Sequence, residues 1–130
     1  MMSTVVLCRF AFICSLVVIA DCFLCEIMVR VTSKTDKKFK TVVIIPALGI
    51  QSSPMIFDKK ETKKVEVIGE ECGNKPWLIQ TYKWENNDWQ PAENNTAKYQ
   101  GNGWIRFIVG DDLKPTPMDR YGIGCSEGRC

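Results

Sequence analysis

There is no histidine in this 130-residue chain. That absence excludes chemistry that needs an imidazole: Ser–His–Asp triads, Cys–His dyads, HExxH zinc sites and C₂H₂ fingers. A strong charge of one sign is missing too. The chain holds 17 basic and 15 acidic residues, a formal charge of +2, so it is not a polybasic nucleic-acid binder and no nucleic acid is expected as a partner. Long apolar runs are lacking apart from residues 10–20. That run is about eleven residues, well short of the roughly 20 that span a bilayer. No phosphate-binding loop is present, because Gly101, Asn102 and Gly103 lack the rest of any such motif. At 45% hydrophobic and 25% charged, the composition is that of a globular protein rather than a fibre or a disordered chain.

Cysteine, by contrast, is abundant, with seven in a short chain. The compartment follows from the N-terminus. Arg9 is the only charge before Asp21, and the apolar run follows it directly. This is the layout of a secretory signal: a basic start, a short apolar core and small residues near a cleavage point. Cleavage after Ala20 leaves five cysteines, whereas cleavage after Cys22 leaves Cys25, Cys72, Cys125 and Cys130. Exported proteins pair their thiols, so parity favours the second. Residues 1–22 are therefore expected to form a signal helix that is removed. Residues 23–130 are expected to form one secreted domain with no stable membrane insertion. Four cysteines permit three pairings. The favoured scheme ties Cys125 and Cys130 back to Cys72 and Cys25, and its rival is a local Cys125–Cys130 loop. C-x₄-C without histidine is a poor zinc pattern, so no metal is expected at the thiols.

The pattern after residue 23 is that of strands. Ile27, Val29 and Val31 alternate with Glu26, Met28 and Arg30; Val65 and Val67 alternate with Lys64 and Glu66. Trp77, Ile79 and Thr81 face away from Leu78, Tyr82 and Trp84. Period two is the mark of a half-buried strand. Asn86 and Asn87 tolerate positive φ and predict a hairpin that sets Trp84 opposite Trp89. Gly101, Asn102 and Gly103 read as a turn. Residues 113–130 carry Pro115, Pro117, Gly122, Gly124 and Gly128 and read as an irregular tail that needs a covalent tie. The expected fold is all-β: a small antiparallel β-sandwich, immunoglobulin-like or related, of seven to eight short strands.

Candidate sites are few. Asn94, Asn95 and Thr96 form an N-glycosylation sequon in a polar stretch where a loop is expected. The paired acids Glu70 and Glu71, and Asp111 and Asp112, follow strand ends. With Asp119 they would supply oxygens for calcium if their loops met; otherwise they are solvated turn formers. Ser52, Ser53 and Ser126 have no activating base beyond a remote Lys114. No catalytic set and no cofactor are expected. Lysines cluster at 34–40 and 59–64, diluted by Asp36, Asp58 and Glu61. They read as edge charges that discourage sheet-to-sheet association, with a heparin-like or acidic-lipid surface as the alternative. Trp84 and Trp89, with Tyr82, form the candidate binding surface. The chain therefore reads as a secreted, non-enzymatic module that recognises an extracellular protein or glycan. The alternative is a small secreted inhibitor, toxin or host-directed effector that presents residues 119–124, with Arg120 at the tip.

Overall fold

The computed structural model describes residues 24–130, and the signal segment expected at 1–22, Cys22 included, lies outside the described residues. Eight strands follow in chain order: β1 (Leu24–Ser33), β2 (Phe39–Ile45), β3 (Ile50–Gln51), β4 (Met55–Phe57), β5 (Thr62–Glu70), β6 (Trp77–Glu85), β7 (Asp88–Val109) and β8 (Pro115–Ser126). Two short 3₁₀ turns, Pro46–Leu48 and Cys72–Asn74, interrupt them. The strands make one curled sheet in the order β3-β2-β6-β7-β1-β5, with β4 added to β2 and β8 added to β7.

Strand β7 joins the two halves of the curl. It has 22 residues and would reach roughly 70 Å if straight. Its first part pairs with β6, from Glu85↔Asp88 to Trp77↔Ala97. Its last part pairs with β1 and β8. The expectation of short strands is therefore corrected here: residues 97–99 and 104–109 are one continuous strand with the segment after the hairpin.

The expected turn at Gly101, Asn102 and Gly103 is instead a register shift within the β7–β8 ladder. Gly101 has φ 138°, and Gly122, next to its ladder partner Ile123, has φ 72°. A Cβ on Gly101 would overlap the Gly122 carbonyl oxygen, and one on Gly103 would overlap that of Tyr121. Only glycine permits so close a backbone approach.

Two further expectations are corrected. The sheet is mixed rather than antiparallel, because β1 runs parallel to β7 from Glu26↔Asn102 to Ser33↔Val109. The C-terminal segment is not irregular either. It forms β8, laddered on β7 from Lys98↔Ser126 to Val109↔Pro115. Pro115 and Pro117 are tolerated because β8 pairs on one side only, and proline is compatible with an edge strand.

The inward faces carry the alternation expected from sequence. Ile27, Val29 and Val31 of β1 and Phe39, Val43 and Ile45 of β2 are buried. So are Trp77 and Ile79 of β6 and Ile105, Phe107 and Val109 of β7. All belong to one cluster drawn from both halves of the curl. Thr41 lies on the same inward face, fully buried, and its hydroxyl has no hydrogen-bond partner. Thr41→Val removes that unmet group at nearly constant volume. It is expected to raise stability by about 1 kcal/mol, as a higher midpoint in urea; a lower midpoint would contradict it.

Among the described residues two disulfides form, Cys25–Cys72 and Cys125–Cys130. The favoured tail-to-core pairing is thus overturned and its local rival is observed. Antiparallel pairing of β1 with β5 sets Cys25 beside Gly69, so Cys72 arrives next to Cys25 with the Cα atoms 6.3 Å apart. At the other end Cys125 lies opposite Tyr99. The chain turns back through Glu127 (φ 50°), bringing the Cys130 Cα to 5.9 Å from that of Cys125. The tail docks on β7 through Arg129 N–H, which donates to the Thr96 carbonyl (3.0 Å), and through a Lys98–Glu127 ion pair (2.7 Å).

Candidate functional site

Outward residues of β2, β6 and β7 line up in rows set by the ladder. Lys40 lies opposite Tyr82, and Tyr82 lies opposite Pro91. One row toward the hairpin, Trp84 faces Trp89. The turn between them runs through Asn86 (φ 54°) and Asn87 (φ 59°), the left-handed pair that a type I′ hairpin requires. The two indoles meet edge to face, with centroids 4.9 Å apart and planes at 69°. This is a favourable geometry for rings. Trp84 is 41% exposed, while Trp89 and Tyr82 are half-buried. The three aromatic residues singled out from sequence therefore share one face.

Two lysines complete the cluster. The Lys38 ammonium stands 4.5 Å from the Trp84 centroid and 5.7 Å from that of Trp89. The Lys40 ammonium stands 4.6 Å from the Tyr82 centroid and 5.0 Å from that of Trp89. Cation–π attraction is worth ~0.5–1 kcal/mol at exposed sites, and here four such contacts converge. Reading these lysines as edge charges missed the cluster. Alternation puts Lys40 on the outward face of β2, with Lys38 just before the strand, but only the non-local β2–β6 register brings them over the rings. Asp58 approaches Lys38 at 3.9 Å, an exposed and weak pair.

The remaining candidates fall elsewhere. Arg120 is corrected from a loop tip to a residue within β8, opposite Ile105. Its Nε donates to the Ile123 carbonyl at 3.1 Å. Asn94 is exposed as expected, but it lies in β7 opposite Gln80 rather than in a loop. It shares the outward face with Tyr82 and Trp84.

The acidic pairs do not meet. Glu70 is at the Leu24 end of β1, whereas Asp111 and Asp112 follow Val109, which pairs with Ser33 at the other end. A ten-residue strand separates them by roughly 30 Å. Asp111 Oδ1 accepts from the Thr35 hydroxyl (2.6 Å), and Asp112 Oδ1 accepts from Lys114 N–H (3.0 Å). These acids close turns. Asp119 is engaged by Arg106, whose Nε and Nη2 donate to its two oxygens at 2.8 and 3.2 Å. The guanidinium holds the Asp119 carboxyl below the usual carboxylate range. Among the described residues no three cysteine, aspartate or glutamate side chains gather to hold a metal ion.

A second aromatic group is buried under the tail. Tyr99 meets Trp77 and Phe107 edge-on, with centroids at 5.5 and 5.9 Å. Its hydroxyl donates to Asn95 Oδ1 (3.0 Å). Burial pushes the phenol up to about 12, although the nearby Arg120 charge opposes the shift. In the unfolded chain the phenol ionises near 10.0. The neutral form is favoured by folding, so this contribution to stability is complete below pH 10 and is lost as pH rises from 10 towards 12. An alkaline phenolate titration is expected to show one late-ionising tyrosine that is missing from Tyr99→Phe. A Tyr99→Phe titration that keeps the late step would contradict the assignment.

The described cavities are shallow, the first mainly polar and the second mainly apolar. One of about 270 Å³ is lined by Glu93, Asn94, Thr96, Lys114 and Arg129, and a neighbouring one of about 190 Å³ involves Pro115, Pro117 and Cys130. Both are open to solvent and do not enclose a volume as a small-molecule site does. No protein family matches the chain, and neither a similar curated protein nor a similar solved structure was found by comparison.

Proposed function

We propose that the protein is a secreted, non-enzymatic binding module that meets an extracellular partner through the outward face of β2, β6 and β7. The observation that carries this reading is the cluster of Lys38, Lys40, Tyr82, Trp84 and Trp89, in which rings and ammoniums are held together on an exposed sheet face. Such a face offers apolar area and fixed charge at once, the combination found at binding hot spots. Two disulfides are consistent with an oxidising compartment, and no described helix is long and apolar enough to cross a membrane. The lack of histidine supports binding over chemistry. We also read residues 23–130 as one domain, with the two halves of the curl as the layers of an immunoglobulin-like or related sandwich. The shared core cluster favours that reading. Asn94 is read as glycosylated, which would place a sugar beside the cluster and leave the hairpin end free.

The reading is tested on arrays of extracellular glycans and matrix proteins with the oxidised chain. Trp84→Ala/Trp89→Ala is expected to abolish the signal, while Met118→Ala/Tyr121→Ala, at exposed positions of β8, retains it. Signal that survives loss of both indoles, or no signal from correctly folded protein, would overturn it.

A further inference from the structure

We infer that the ligand of the β2–β6–β7 face is an anionic glycan, whose sulfate or carboxylate groups meet Lys38 and Lys40 while its ring lies along the indole edges. This rests on the binding-module reading and narrows it to a ligand class. The first ground is charge left without a partner. Lys83, Lys98 and Arg106 each have a carboxylate within 3.1, 2.7 and 2.8 Å. Lys40 has no ion-pair partner among the described residues, and Lys38 has only Asp58 at 3.9 Å. Their ammoniums rest on Tyr82, Trp84 and Trp89 instead. A ring face steadies a cation without neutralising it, so the donors remain available to an anion. The rings also hold both side chains in place, which lowers the entropy cost of binding.

The contrast with the other half of the sheet sharpens the choice. Arg30 also lies over an indole, 4.8 Å from the Trp104 centroid. There the Asp119 carboxylate is close enough for Arg30 to lower its pKa, so that face already contains its anion.

Backbone pairing separates a glycan from an acidic peptide. β2 is flanked by β6 on one side and by β3 and β4 on the other, and β6 lies between β2 and β7. β7 has a free edge at 88–95, where it pairs only with β6, but a peptide strand added there would lie three strand spacings, roughly 14 Å, from β2, which carries Lys40. At the lysines side-chain contacts are on offer, and those suit acidic groups repeated along a saccharide. An anionic membrane is disfavoured because the hairpin tip beside the cluster carries exposed Glu85 and Asp88.

The test uses the full oxidised protein on immobilised heparin, with dextran and polyglutamate as parallel arms. Retention on heparin that weakens with salt is expected. Lys38→Gln/Lys40→Gln is expected to reduce affinity at least about tenfold per lysine. Lys59→Gln/Lys60→Gln, which removes equal charge from the exposed β4–β5 turn, should change it far less. Equal loss in both variants would mean that only net charge is sensed and would overturn the inference. So would no retention, or stronger retention on polyglutamate. If dextran binds through Trp84 and Trp89 while heparin does not, the anionic ligand is wrong and the binding-module reading stands. If no arm binds in a Trp84- and Trp89-dependent manner and the arrays are blank too, both fail.

Discussion

Replacing Cys25 and Cys72 together by alanine is expected to lower unfolding free energy by about 4 kcal/mol, enough to leave a chain of this size close to unfolding at body temperature. The bridge closes a segment of 47 residues, and the constraint it places on the unfolded chain grows with that length. Both cysteines are fully buried, and the Trp77 indole donates to the Cys72 carbonyl at 2.8 Å. The bridge therefore holds the turn on which the largest buried ring is seated. Removing Cys125 and Cys130, which are only 5 residues apart, should cost about 2 kcal/mol by the same reasoning. Equilibrium unfolding in guanidinium checks both values. Equal losses, or a larger loss from the C-terminal pair, would show that the tail bears more of the fold than its short loop allows.

The second large effect is at the bend of β7. Gly101→Ala is expected to cost about 3 kcal/mol, because alanine is strained at φ 138° and its Cβ would overlap the Gly122 carbonyl oxygen. The neighbouring Gly124→Ala is the control. There the nearest atom to a new Cβ is the Gln100 carbonyl oxygen at 3.7 Å, an ordinary contact, so its cost should stay below about 1 kcal/mol. Thermal unfolding of the two variants side by side separates a required glycine from a tolerated one. Similar melting temperatures would mean that the backbones of β7 and β8 can part at little cost, contrary to the close approach seen here.

These two positions also show where local pattern stops being informative. Alternation located Ile27, Val29 and Val31, and Trp77, Ile79 and Thr81, because the two-residue period belongs to each strand alone. Asn86 and Asn87 disclosed the hairpin and the Trp84–Trp89 pair for the same reason: turn chemistry is local. The bend at Gly101 and Gly103 was read as a turn, since glycines that permit close backbone approach look like glycines that reverse a chain. The β8 strand was hidden by Pro115 and Pro117, which are disfavoured in a central strand but acceptable on a sheet edge. The parallel β1–β7 pairing and the disulfide partners depend on residues far apart in sequence. The same is true of Lys38 and Lys40. The outward direction of Lys40 was legible, but the place of both lysines over the rings depends on the register of β2 against β6.

Everything proposed about function assumes that the chain leaves the reducing interior of the cell and works by surface contact. Non-reducing peptide mapping of the natural protein tests this most directly. The expected map begins at residue 23, carries a sugar on Asn94, and joins Cys25 to Cys72 and Cys125 to Cys130. A chain that retains its first 22 residues and has all of these thiols free would contradict it.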